Sequence, residues 1–121
     1  MQTRVDKIRQ VLEDKKADEF CFFDFQGTDY FADGVVLCTS LNERHAAALM
    51  DELKNELKPE EQFLNTDDRS SNWMIADLGD IIVHVMDREL RSIYDLETFF
   101  KDLGKKQKAA LEAQNAKNTT N

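Results

Sequence analysis

At 121 residues the chain fits one domain, and its 41% apolar content, with eight Phe, is enough to build a core. Net charge is −8. Lys105, Lys106, Lys108 and Lys117 against Glu112 give the segment from Gly104 onward a net +3, which leaves −11 on residues 1–103. An acidic body is repelled by phosphate, which excludes nucleic-acid binding through a broad basic face and suits a basic protein partner better. Acidity also maintains solubility by itself, so charge alone does not name a partner. No apolar run approaches the roughly 20 residues of a membrane span, and "MQTRVDKIRQ" carries charges where a signal peptide has its apolar stretch; the expectation is a cytoplasmic protein without a membrane anchor.

In chain order, Val5, Ile8 and Leu12 recur at helical spacing and predict an amphipathic helix over about Thr3 to Lys16, with Thr3 and Asp6 placed as a capping box. "EFCFFDF" from Glu19 to Phe25 is short, aromatic and followed by "QGTD", which reads as a strand and a turn. "VVLCT" after Asp33-Gly34, rich in β-branched residues, reads as a fully buried strand. Ser40 and Glu43 signal a second helix with an apolar stripe at Ala46, Leu49, Met50, Leu53 and Leu57, ended by Pro59 after Lys58. "EEQFLNTDDRSSN" mainly connects, with at most a short strand around Phe63 and Leu64.

"WMIAD" and "DIIVHVM" flank Leu78-Gly79 at the spacing of an antiparallel hairpin, where Gly79 supplies a positive φ. On the second strand Ile81, Val83 and Val85 face one way and Ile82, His84 and Met86 the other; both sets are largely apolar, so neither can simply face water. Asp87 is placed to cap a short helix through Ser92. Asp95 is placed to cap another through about Leu103, closed by Gly104. Residues 104–121 read as a basic tail, frayed or disordered, outside a domain of residues 1–103. The sequon Asn118-Thr119-Thr120 has no meaning without secretion. The order of elements predicts a single α/β (α+β) domain, a mixed sheet of about five strands with helices packed on it.

The chemistry of an enzyme is missing. Gly27, Gly34, Gly79 and Gly104 form no phosphate-binding loop, and His45 and His84, the only histidines, have no metal-binding spacing, so neither cofactor nor metal is expected. Cys21 and Cys38 lie in apolar runs, where a thiol is desolvated and stays protonated and reduced. Asp87/Glu89 and Asp95/Glu97 have the D-x-E spacing of magnesium-holding pairs, but fall at helix starts, where residues i and i+2 diverge. His84 reads either as a satisfied residue of a half-buried strand or as part of a docking surface. Trp73 reads either as core or, with Arg91 and Tyr94, as contact.

The run Trp73 … Asp77-Leu78-Gly79-Asp80 … Val83-His84-Val85 … Arg91 … Tyr94 … Leu96-Glu97 resembles the signature of the ribosomal silencing factor, or Iojap-like, family (RsfS). Asp24-Phe25-Gln26-Gly27, Ala32-Asp33 and Cys38-Thr39 … Arg44-His45 fall where that family has further elements, and the likeness spans about Thr3 to Leu103. Ala32, Ser40-Leu41 and Phe99-Phe100 depart from the family's usual Thr, Gly-Thr and Leu-Trp. The resemblance implies a fold related to nucleotidyltransferases without their catalytic residues. It also implies docking onto protein fourteen of the large ribosomal subunit, which sterically blocks joining with the small subunit and represses translation. The docking surface is then expected at Trp73, Leu78, Met86, Arg91 and Tyr94 as anchors, with Asp77, Gly79, Asp80 and His84 around them. A divergent nucleotidyltransferase-like enzyme and a homodimeric scaffold using the same hairpin remain as alternatives.

Overall fold

A computed structural model describes residues 1–67 and 72–119, with side chains in the last helix up to Gln107 and at Ala109. Five strands form one mixed sheet: β1 (Asp18–Asp24), β2 (Gly34–Ser40), β3 (Asn65–Asp67), β4 (Trp73–Asp77) and β5 (Ile81–Asp87), in the order β1-β2-β5-β4-β3. β2 and β5 run parallel, from Gly34 opposite Ile81 to Ser40 opposite Asp87; the other pairs are antiparallel. A parallel pair needs a long crossover, and here α2 (Glu43–Leu57), β3 and β4 supply it.

Alternation decides what each face covers. Val36 and Cys38 of β2, Met74 and Ala76 of β4, and Ile81, Val83 and Val85 of β5 pack against α1 (Gln2–Asp14) and α2. Those helices contribute Val5, Ile8 and Leu12, and Ala46, Leu49, Met50, Leu53 and Leu57, the two stripes that helical spacing predicts. On the other face Val35 and Leu37 of β2 join Phe25 and Phe100 in a second cluster, flanked by Cys21, Phe23, Tyr30, Leu96 and Leu103. α3 (Arg88–Tyr94) and α4 (Leu96–Thr119) lie on this side. β2, covered on both faces, is buried along its whole length, as its unbroken apolar run predicts.

The hairpin forms as expected, with Gly79 at φ +93°, and Asp87 caps α3 by accepting from the Leu90 N–H at 2.8 Å. Several local signals resolve differently. α1 starts at Gln2 with no side-chain cap; Thr3 is already helical, and Asp6 accepts from Gln2 Nε2 at 2.8 Å. What ties that end down is Arg4, whose guanidinium bonds Glu61 and Asp80, each at 2.5 Å from its nearer nitrogen, and whose hydrogen bonds hold the Asp80 carboxyl below its usual range. Ser40 does not cap α2, because the ladder with β5 keeps it in the strand; Asn42 takes the position and accepts from the His45 N–H at 2.8 Å. The strand expected near Phe63 and Leu64 begins at Asn65 instead, while Phe63 packs on the core. Of the connection that follows, residues 68–71 lie outside the described residues, as does Thr120 of the sequon.

The largest difference concerns Gly104. It lies inside α4, which continues to Thr119. A single Gly costs a helix only about 1 kcal/mol against Ala, and "KKQKAALEAQ" after it consists of good helix formers with no Pro. A Cβ at Gly104 would sit 3.6 Å from the Phe25 ring, an ordinary contact. Gly104→Ala should therefore raise the unfolding free energy by about 0.5–1 kcal/mol in urea denaturation; a loss of stability would instead mark Gly104 as a helix terminator.

Candidate partner-docking site

α4 covers β1 and β2, so the same face is left open toward β4 and β3. On β4 the odd positions Trp73, Ile75 and Asp77 are half-buried on this open side, while Met74 and Ala76 point into the helix-covered core. Register sets Trp73 opposite Met86, Ile75 opposite His84 and Asp77 opposite Ile82. Together with Tyr30, Phe31, Asn65, Asp67, Leu96 and Phe100, the groups at 73, 75, 77, 82 and 84 line a shallow cavity of about 350 Å3. A second hollow behind Trp73, shared with Asn72, Leu90 and Tyr94, continues it toward α3.

Aromatic rings run along the rim without a break. Tyr94 is 5.4 Å from Trp73, Trp73 6.1 Å from His84, His84 6.2 Å from Phe100, Phe100 6.2 Å from Tyr30, and Tyr30 4.5 Å from Phe31, centroid to centroid. Phe31 and Tyr94 are 74% and 55% exposed, more than a large ring normally shows to water. Rigid rings at the edge of a concave apolar surface are the composition of an interface core. The larger groove, about 680 Å3 at the C-terminal end of α2, is lined by Lys54, Lys58, Glu61 and Gln62 and holds a single ring, Phe63. Convergence of rings, rather than volume, selects the Trp73 cavity.

Of the nine residues expected at the docking surface, the structure brings Trp73, Asp77, His84 and Tyr94 onto this face. Asp77 Oδ1 accepts from the Gly79 N–H at 2.8 Å, so Gly79 shapes the hairpin end. Asp80 is engaged by Arg4. The three other expected anchors are buried, which corrects the sequence reading. Met86, on the strand against which α3 packs, has no exposed surface, and Leu78 turns into the core at 7%. Arg91 is 5% exposed, with its guanidinium spent on Glu19, Thr39, Cys21 and Glu97. Conversely, Tyr30, Phe31, Leu96 and Phe100 are wall residues that periodicity did not single out. The sequence signal for Tyr30 and Phe31 was two adjacent rings in the Gly- and Asp-containing stretch after Phe25, while Leu96 and Phe100 stood out only within or beside the family-like run.

Other reactive groups have structural employment. Burial pushes the Cys38 thiol up to about 12, and burial likewise raises Cys21. His45 Nδ1 accepts from the Leu41 N–H at 2.9 Å while its Nε2 donates to the Lys15 carbonyl at 2.6 Å. Asp87 is a helix cap, and Glu97 pairs with Arg91. His84 Nδ1 accepts from Trp73 Nε1–H at 3.1 Å, and burial lowers its pKa from 6.5 to about 4. The neutral ring is thus the form that fits.

A histidine whose folded pKa is depressed contributes full stability above its unfolded pKa and loses it as protons are taken up by the unfolded chain. The window here runs from 6.5 down to about 4. Lowering the pH from 7 to 5 should cost about 2 kcal/mol of unfolding free energy through this residue. Urea melts of His84→Gln should show that part of the pH slope gone; an unchanged slope would mean that His84 is not buried neutral.

A profile for the family described as "Ribosomal silencing factor during starvation" matches residues 1–121. A Haemophilus influenzae protein, "Ribosomal silencing factor RsfS", is 32% identical over 95 residues, covering 77% of this chain and 93% of its own. Two crystal structures share the fold. One is of a Chromobacterium violaceum protein, with TM-score 0.76, 24% identity and coverage of 83% and 85% of the two chains. The other is of a Bacillus halodurans protein, with TM-score 0.72, 25% identity and coverage of 82% and 94%. With the whole chain matched and this arrangement of strands and helices, the protein belongs to the ribosomal silencing factor (RsfS) family.

Proposed function

We propose that this chain is a translation repressor that docks on protein fourteen of the large ribosomal subunit, through the face around Trp73, and prevents the small subunit from joining. The observation that carries the reading is the Trp73 cavity: a ring-lined, partly exposed apolar surface in a member of a family described by ribosome silencing. Blocking needs no chemistry. A protein seated where two subunits meet excludes one of them by volume alone, and the energy required is only that of a stable contact. The net charge of −8 supports approach to a basic ribosomal protein, since complementary charge raises the association rate more than the final affinity.

The reading includes no catalysis. Both thiols are held protonated, and both imidazoles are engaged in hydrogen bonds that fix their rings. No described helix is long and apolar enough to cross a membrane. Incubation of the purified protein with nucleotides and magnesium should give no nucleotidyl transfer; transfer abolished by changing Asp87 or Glu89 would overturn the non-enzymatic reading.

Sedimentation with isolated subunits tests the binding. The protein should travel with large subunits and not with small ones. Trp73 lies outside the helix-covered core, so Trp73→Ala should keep the circular dichroism of the unaltered chain and lower its melting temperature only by what the lost bond to His84 costs, while weakening large-subunit binding by roughly 30-fold, the loss typical of an aromatic anchor. Co-sedimentation with small subunits, or undiminished binding by Trp73→Ala, would count against this docking face.

A further inference from the structure

Arg91 belongs to α3, yet its guanidinium joins three other elements. Nη1 donates to the Glu19 carbonyl oxygen and, at 2.9 Å, to Thr39 Oγ1; Nη2 donates to Cys21 Sγ at 3.3 Å and to the Glu97 carboxylate. Two non-glycine residues in the left-handed region lie at the ends of this network. Glu19, at φ 53°, sits where the pairing of β1 with β2 shifts register between Asp18 and Cys21, and it is this residue whose carbonyl receives Arg91. Asp95, at φ 44°, is the joint between α3 and α4, and its N–H donates to the Arg91 carbonyl at 3.0 Å. Backbone in this region persists only where its surroundings over-determine it.

The joint matters because both of its sides build the cavity. Before Asp95, Tyr94 stands 5.4 Å from Trp73; after it, Leu96 and Phe100 line the wall. A guanidinium that grips Glu97 and the sheet at once fixes the angle at which these side chains meet the open strands. We infer that Arg91, with Glu97 as its partner, is the positioning residue of the docking face: it touches no bound protein itself but sets where the α3–α4 wall stands against Trp73. This rests on the docking face proposed above.

The chain's only Trp is part of that cavity, so its fluorescence reports the wall directly. Arg91→Met should shift Trp73 emission to longer wavelength, increase quenching by acrylamide and weaken binding to large subunits by about tenfold or more, because a partner's contacts then have to reorder the wall first. Arg91→Lys, which restores charge but not the planar fork, should fall between Met and the unaltered chain. Glu97→Gln should move both readouts in the same direction, by about threefold in affinity, as expected for weakening one charge-assisted bond. Emission and affinity both unchanged in Arg91→Met would overturn the inference, as would weakened affinity with unchanged emission, since the effect would then not pass through the wall. Should Arg91→Met not fold, Glu97→Gln decides, and unaltered emission there overturns it. If the unaltered chain does not bind large subunits at all, the docking reading fails, while the emission shift still decides whether Arg91 positions the wall.

Discussion

The parallel pairing of β2 with β5 is the constraint on which the rest of this fold depends. Two parallel strands cannot be joined by a tight turn, so the chain must leave the sheet and return, and in doing so it lays down α2, β3 and β4. That excursion seals one face with α2 beside α1 and delivers the β4–β5 hairpin next to the buried pair. Because the two strands occupy the centre of the sheet, the elements after β5 are confined to the remaining face. α3 and α4 reach only part of it, and the uncovered remainder, around Trp73, is where the rings collect.

Two arginines hold this arrangement in different ways. Arg4 bridges Glu61 and Asp80, tying the start of α1 to the loop after α2 and to the hairpin end at a partly exposed site, where solvent weakens the Coulomb gain. Arg91 is buried, and a buried cation is tolerable only when its donors are satisfied. Among the described residues its Nε has no partner, but both terminal nitrogens are engaged across β1, β2 and α4. An acidic surface and a few well-engaged cations thus serve separate ends: the first favours approach to a basic partner, the second fixes the geometry that would meet it.

The proposed docking face was partly legible in the sequence. Trp73, Asp77 and Tyr94, which the resemblance named, and His84, whose face the alternation of β5 set apart from Val83 and Val85, all stand on it. Met86 and Arg91 have the chemistry of contacts and were expected there, but composition does not reveal which apolar or charged side chain a neighbouring helix will cover. Phe31 and Phe100, distant from the hairpin in sequence, join the cavity only through the closure of the sheet, and no local pattern records that.

What the sequence determined by itself was everything set by short-range periodicity. The stripes of α1 and α2, the buried run of β2 and the β4–β5 hairpin with its glycine follow from spacings of 3.6 and 2 residues, which act within one element. Tertiary structure decided what depends on competition between elements. Ser40 stayed in its strand because the ladder with β5 outcompeted a helix cap, and Arg91 turned inward because a β1 bulge and Thr39 offered acceptors there; that α4 runs through Gly104 is by contrast a local matter, since nothing after it stops a helix. The first two turn on partners that the fold brings together from far along the chain, Ser40 with Asp87 and Thr39 with Arg91, the latter at a separation of 52, and local preference cannot anticipate them.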